Sequence, residues 1–194
     1  MLLRMLKNIR IIIHRNKARN AYYGKFLIEY GSISQIYHSF DWLSTKSSYR
    51  TKKEIALKGD LRFGASKEEV KHRFGKPLFI FSNPLSEGHE ILFYKCRLGQ
   101  NIINCEIHFY ESILFMGVYT SDSLLNRIFE VKKYFLEEYI GANHLPESHE
   151  DFHITDKNQN SIYVTDTTNL QIVYLNRFAA ITPKGIKRGQ HASP

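Results

Sequence analysis

Residues 91–120 read ILFYKCRLGQNIINCEIHFYESILFMGVYT, and the placement of apolar side chains along this run decides the fold class. With Gln100 and Asn101 as the loop of a hairpin, Leu98 faces Ile103, Cys96 faces Cys105, Tyr94 faces Ile107 and Leu92 faces Phe109. Every pair is apolar. The other side then sets Arg97 against Asn104 and Lys95 against Glu106, so both strands agree on which side meets water. A second turn at Glu111 and Ser112 sets Phe109 against Leu114, Ile107 against Met116 and Cys105 against Val118. Two hairpins sharing one apolar side predict an antiparallel sheet over 91–120 with one dry and one wet face.

Upstream, residues 58–77 read KGDLRFGASKEEVKHRFGKP. Ser66 and Glu69 have the spacing of a capping box, which starts a short helix. Gly75 and Pro77 stop it, and Val70 and Phe74 are its inward anchors. Downstream, Asp122 or Ser123 is placed to cap a helix through Tyr139, with Leu124, Leu125, Ile128, Val131, Phe135 and Leu136 as its buried stripe and Gly141 at its stop. Three short β-type runs follow, at 152–155, 162–165 and 170–175, separated by polar turns. The predicted class is α+β: a short capped helix and an antiparallel meander, then a second helix-plus-strands unit, giving units at 54–121 and 122–182. Ahead of them lie a basic amphipathic segment (1–31) and a helix with a polar connection (32–53), the exposed linker running from Ser44 to Lys53. Residues 183–194 form a polar, disordered tail.

The composition bounds the function classes. With 194 residues, 43% hydrophobic and 24% charged, the chain has enough apolar material for a core, which excludes wholesale disorder. No run of eighteen uncharged apolar residues occurs, so no transmembrane helix is expected. Seven of the 27 basic residues and none of the 19 acids fall within residues 1–28, so the formal net charge of +8 drops to +1 for the remainder. Arg4, Lys7, Arg10 and Arg15 alternate there with a helical stripe of Leu2, Met5, Leu6, Ile9, Ile12 and Ile13. Three readings are open: a terminal helix packed on the body, attachment to an anionic lipid or acidic protein surface, or a cleaved address sequence. A near-neutral body whose strand aromatics fall mainly on the apolar side argues against nucleic-acid recognition.

Residues 149–153, His-Glu-Asp-Phe-His, match H-E-x-x-H. On a helix this spacing sets two imidazoles one turn apart on zinc, with a glutamate beside the metal-bound water. A zinc hydrolase using His149, Glu150 and His153 is therefore the enzymatic alternative, as is a structural metal shared with His144. The polar flanks and the missing third ligand favour a solvated loop entering a strand. Cys96 and Cys105 read as two small core residues in a reducing cytoplasm, not as a disulfide. Gly59, Gly64 and Gly75 are too dispersed to cradle a phosphate, and no G-x-S-x-G elbow is present. No cofactor is expected.

The run from Gly59 to Val70, closed by Phe74-Gly75-Lys76-Pro77, resembles the G-x-S-x-E-E-V…G-x-P opening of small bacterial α+β proteins. These have the fold type of β-lactamase-inhibitor protein, of small outer-membrane assembly lipoproteins and of immunity proteins encoded beside toxins. The resemblance spans residues 55–120 and includes the aromatic hairpin at 108–116. It implies a cytoplasmic, non-enzymatic protein-binding module of the immunity type, with a bacterial toxin as partner. A separate alternative, read from the charge pattern and not from the resemblance, is a peripheral membrane-associated protein anchored by the basic N-terminal helix, placed at the inner membrane. The expected docking surface is the wet sheet face, where Phe93, His108, Tyr110, Phe115 and Tyr119 stand among Lys95, Arg97, Asn104 and Glu106. Two outcomes are open for these aromatics: they anchor a partner, or a helix covers them as a second core layer.

Overall fold

A computed structural model of the chain describes residues 36, 47–57, 60–84, 86–98, 100–121, 124, 127–141, 151–165 and 170–176. In chain order the elements are β1 (Ser47–Arg50), α1 (Lys67–Phe74), β2 (Phe79–Ser82), β3 (His89–Leu98), β4 (Asn101–Tyr110), β5 (Ile113–Ser121), α2 (Ile128–Tyr139), β6 (Phe152–Thr155), β7 (Asn160–Thr165) and β8 (Leu170–Asn176). All eight strands share one sheet, ordered β1-β6-β7-β8-β5-β4-β3-β2, antiparallel except for the parallel β1/β6 pair. The α+β class is observed, with sheet dominant. The expected pair of units is instead fused: the meanders β2–β5 and β6–β8 join through an antiparallel β5/β8 ladder, so one core runs under both.

Local signals hold where the chemistry is local. Ser66 Oγ accepts from the Glu69 amide at 3.2 Å, and the Glu69 carboxylate accepts from the Ser66 amide at 2.7 Å. Those bonds draw the Glu69 carboxyl below its ordinary range. Gly75 closes the helix at φ 80°, a left-handed value that favours glycine. Val70 is buried, and Phe74 packs on Tyr94 at 5.4 Å between ring centres.

The meander forms with a changed register. In β3/β4, Leu98 lies opposite Asn101, Tyr94 opposite Cys105 and Leu92 opposite Ile107, two residues from the expected pairing. A two-residue step leaves every side chain on its expected side. Cys96 and Cys105, both buried and not joined in a disulfide, become diagonal neighbours. In β4/β5, Phe109 faces Leu114 as expected, but a bulge at Phe115 then sets His108 against Met116, Ile107 against Gly117 and Cys105 against Tyr119. One extra residue reverses the phase: Met116 and Val118 move to the side expected to be wet, and Tyr119 moves to the other. Gly117 makes this arrangement fit, because a Cβ there would come within 2.4 Å of Leu57 Cδ2. The turn before the bulge holds Glu111 at φ 46° and Ser112 at φ 68°, the paired left-handed conformation whose twist suits a two-residue hairpin.

Other boundaries also differ. The expected linker contains β1, whose short polar run is a strand because β6 supplies its ladder, and Thr51 beyond it is buried with its hydroxyl donating to the Tyr139 carbonyl at 2.6 Å. The second helix begins at Ile128, with Arg127 at its N-cap making no side-chain cap bond; Asp122, Ser123 and Leu125 lie outside the described residues. Ile128, Phe135 and Leu136 are buried as expected, while Lys132 is buried unexpectedly, its Nζ 3.8 Å from Asp151 Oδ1. The basic segment, the tail and most of the predicted 32–44 helix lie outside the described residues.

Both sheet faces carry core. The helical face buries Leu92, Ile107, Phe109, Leu114, Ile154 and Ile162 beneath Val70 of α1 and Phe135 and Leu136 of α2. The opposite face, expected to be wet, buries Phe115, Met116, Val118, Tyr163, Val173 and Leu175 together with the helical Ile36. No helix among the described residues is long and apolar enough to cross a membrane.

Candidate functional site

The residues expected to form one docking surface are divided between the two faces. Phe93, His108 and Phe115 share the opposite face and are buried, the last two completely. Phe93 packs on Phe79 at 6.1 Å. Tyr119 is buried on the helical face, 5.5 Å from Tyr174. Tyr110 is half-buried against the Phe115 cluster, and of the expected set Lys95, Arg97 and Asn104 are exposed while Glu106 is buried. The bulge removes Tyr119 from the set, and core packing removes the other aromatics. The membrane set, Arg4, Lys7, Arg10 and Arg15, lies outside the described residues.

Instead of a wet surface, this part of the sheet encloses a polar chain. Asn83 Nδ2 lies 3.0 Å from His89 Nδ1, His89 Nε2 lies 3.0 Å from His108 Nδ1, and His108 Nε2 lies 3.6 Å from Glu106 Oε2. The amide nitrogen of Asn83 only donates, so His89 Nδ1 accepts and its Nε2 carries the proton. That proton points to His108 Nδ1, which leaves His108 Nε2–H directed at the carboxylate. One direction of donation from Asn83 through His89 to His108 serves two neutral imidazoles, with the Glu106 carboxylate beside the chain but beyond hydrogen-bond distance of His108 Nε2. Burial lowers both imidazoles to about 3, with the His108 ring adding to the effect on His89. Phe115 seals the pair edge-on at 5.7 and 6.1 Å. All four polar groups are buried, so the chain orders the core and is closed to a substrate. Asn83 and His89 carried no motif; the one available signal was the Glu106/His108 alternation on a strand.

Of the two histidines and the glutamate of the H-E-x-x-H match, only His153 falls among the described residues. His153 lies in β6, where side chains alternate and no helical turn aligns residues four apart. Its Nε2 is 3.1 Å from Ser48 Oγ and its ring stacks on Tyr163. His144, His149 and Glu150 lie outside the described residues, among which no cluster suited to a metal ion occurs.

A groove of about 640 Å³ opens on the helical face between α2, the 53–60 loop and the sheet. Its walls are aromatic. Phe135 and Tyr139 stack nearly parallel (7°) at 6.4 Å, and Phe135 meets Tyr174 edge-on at 6.4 Å. The helical period brings Tyr134, 57% exposed, to the mouth beside them. Lys53 lies 5.5 Å above the Tyr139 ring and pairs with Glu138, while Arg127 pairs with Glu130 at 2.6 Å. Burial pushes the Tyr139 and Tyr174 phenols upward, so both stay neutral at ordinary pH. Tyrosine faces, neutral hydroxyls and a charged rim suit an apolar side chain entering from another molecule. Sequence reading missed the groove because residues 57, 119, 134 and 174 meet only after folding. No family model, curated protein or solved structure matches the chain.

Proposed function

We propose that this chain is a non-enzymatic protein-binding module, an immunity-type inhibitor, and that it grips its partner through the groove beside α2. The observation carrying this reading is Tyr134, exposed at the mouth of a cavity walled by Tyr119, Phe135, Tyr139 and Tyr174. A large exposed aromatic beside an aromatic-walled cavity gains most from a partner that covers both. Phe129, also exposed on α2 but outside the groove lining, is a second aromatic for a partner that covers the helix. The resemblance of residues 55–120 to immunity-type proteins supports an inhibitor, a bacterial toxin as its target and the cytoplasm as its place.

The test is calorimetric titration of the chain with the product of the neighbouring reading frame, the position a cognate toxin would occupy. Binding is expected, and the double substitution Phe129→Ala/Tyr134→Ala should weaken it by about tenfold or more. The melting temperature should hold, because both side chains are exposed. Absence of binding defeats the inhibitor reading, while binding indifferent to the double substitution defeats the groove.

A further inference from the structure

On the opposite face, where β1, β6 and β7 meet, lies a second cavity of about 660 Å³ with a different character. Register lines up two rows across three strands: Ser48, His153 and Tyr163 in one, Arg50, Thr155 and Ser161 in the next. Ser48 Oγ touches His153 Nε2 at 3.1 Å, and Thr155 Oγ1 touches Ser161 Oγ at 3.1 Å. The two rows present hydroxyls and an imidazole beside a guanidinium. Lys52 and Lys157 complete the lining with two ammonium groups.

Its electrostatics are one-sided. Several cations elsewhere sit on carboxylates, as in Lys53–Glu138, Arg62–Glu54, Arg127–Glu130 and Lys133–Glu137. Arg50, Lys52 and Lys157 form no ion pair among the described residues. The single carboxylate in the lining, Asp156, is already committed. Its Oδ1 accepts from the Asn158 and Asn160 amides at 2.8 and 2.9 Å, and its Oδ2 from the Ile55 amide and Asn160 Nδ2, both at 2.9 Å. Three cations against one carboxylate, whose oxygens are already held by four amide donors, leave a concave, hydroxyl-lined site with an excess of positive charge where a multiply charged oxyanion fits.

We propose that the β1/β6/β7 cavity binds a phosphomonoester, with the Arg50 fork and the Lys52 and Lys157 ammoniums on the phosphate and the Ser48, Thr155 and Ser161 hydroxyls as hydrogen-bonding partners. The cavity falls in the size range of small-molecule sites, larger than inorganic phosphate requires. The confined charge suits a small ligand better than a polymer, which needs a basic stripe. This site is independent of the α2 groove and stands or falls without it.

The experiment titrates the full chain with inorganic phosphate and with phenyl phosphate by calorimetry at matched ionic strength. Saturable one-to-one binding is expected, tighter for phenyl phosphate and weakened about tenfold or more by Arg50→Gln/Lys157→Gln. Both side chains are exposed, so the melting temperature without ligand should not move. Sedimentation with phosphatidylcholine vesicles, with and without phosphatidic acid, assigns the source of the phosphate. Pelleting that needs both phosphatidic acid and Arg50/Lys157 places it on a lipid headgroup, and its absence alongside soluble binding places it on a free ligand. No saturable binding, equal binding by the variant, or tighter binding of a DNA duplex untouched by the substitutions would each overturn the proposal.

Discussion

On the helical face the sheet buries Leu92, Ile107, Phe109 and Leu114 beneath Val70 and Leu136, a contact made almost wholly of hydrocarbon and aromatic rings. On the opposite face Phe115 and Met116 lie next to a buried amide, two imidazoles and a carboxylate. The difference is one of conditions. Apolar burial stabilises in proportion to area and is indifferent to proton concentration, whereas the imidazole chain holds only while both rings stay neutral.

The largest expected effect compares the same residue on the two faces. Phe109→Ala and Phe115→Ala each empty a fully buried position, and each should cost about 3–5 kcal/mol in urea denaturation at pH 7.5. A cost below about 1 kcal/mol for Phe115→Ala, within the surface range, would mean that the opposite face is no core at all.

Acid separates the faces next. His89 and His108 stay neutral in the folded chain down to about 3, while their ordinary value is 6.5. Above 6.5 both folded and unfolded chains carry neutral rings, and stability is complete. As pH falls below 6.5 the unfolded chain takes up protons that the folded chain refuses, so stability declines progressively toward pH 3. At pH 5 the pair should cost on the order of 2–4 kcal/mol relative to pH 7.5. Denaturation across this range in His89→Leu/His108→Leu should lose that slope, whereas Phe109→Ala should keep it. An unchanged slope in the histidine variant would contradict the neutral chain.

The smallest effect concerns the turn that precedes the change of phase. Ser112 at φ 68° pays the steric cost of a side chain in the left-handed region, so Ser112→Gly should raise stability by about 0.5–1 kcal/mol, equally at pH 5 and pH 7.5. A loss would show that the serine side chain supports the turn.

Legibility in the sequence followed the range of the interactions. The capping box at Ser66 and the stop at Gly75 depend on residues three to nine apart, and both appear where the letters place them. Alternation revealed β3, β4 and the start of β5, but alternation assumes one residue opposite one; the bulge at Phe115 breaks that count. The adjacent pair Phe115-Met116 followed by Gly117 was the available hint, since a glycine within a strand often marks a bulge or a close approach. β1 escaped notice because Ser47–Arg50 has no apolar alternation of its own and is a strand only through β6. Both cavities were invisible for the same reason, each being walled by segments far apart in the chain.

β1 also bears on how the chain is made. Ser48 meets His153 across 105 residues of sequence, so the earliest of the described strands is beside the sixth in the finished sheet. The meander from β2 to β5 closes through neighbouring turns, but among the described residues β1 has no ladder partner until the chain reaches Phe152. Any nascent chain halted before residue 152 must hold Ser47–Arg50 without its ladder partner, and the edge of the sheet closes only when β6 reaches the side of a strand made long before it.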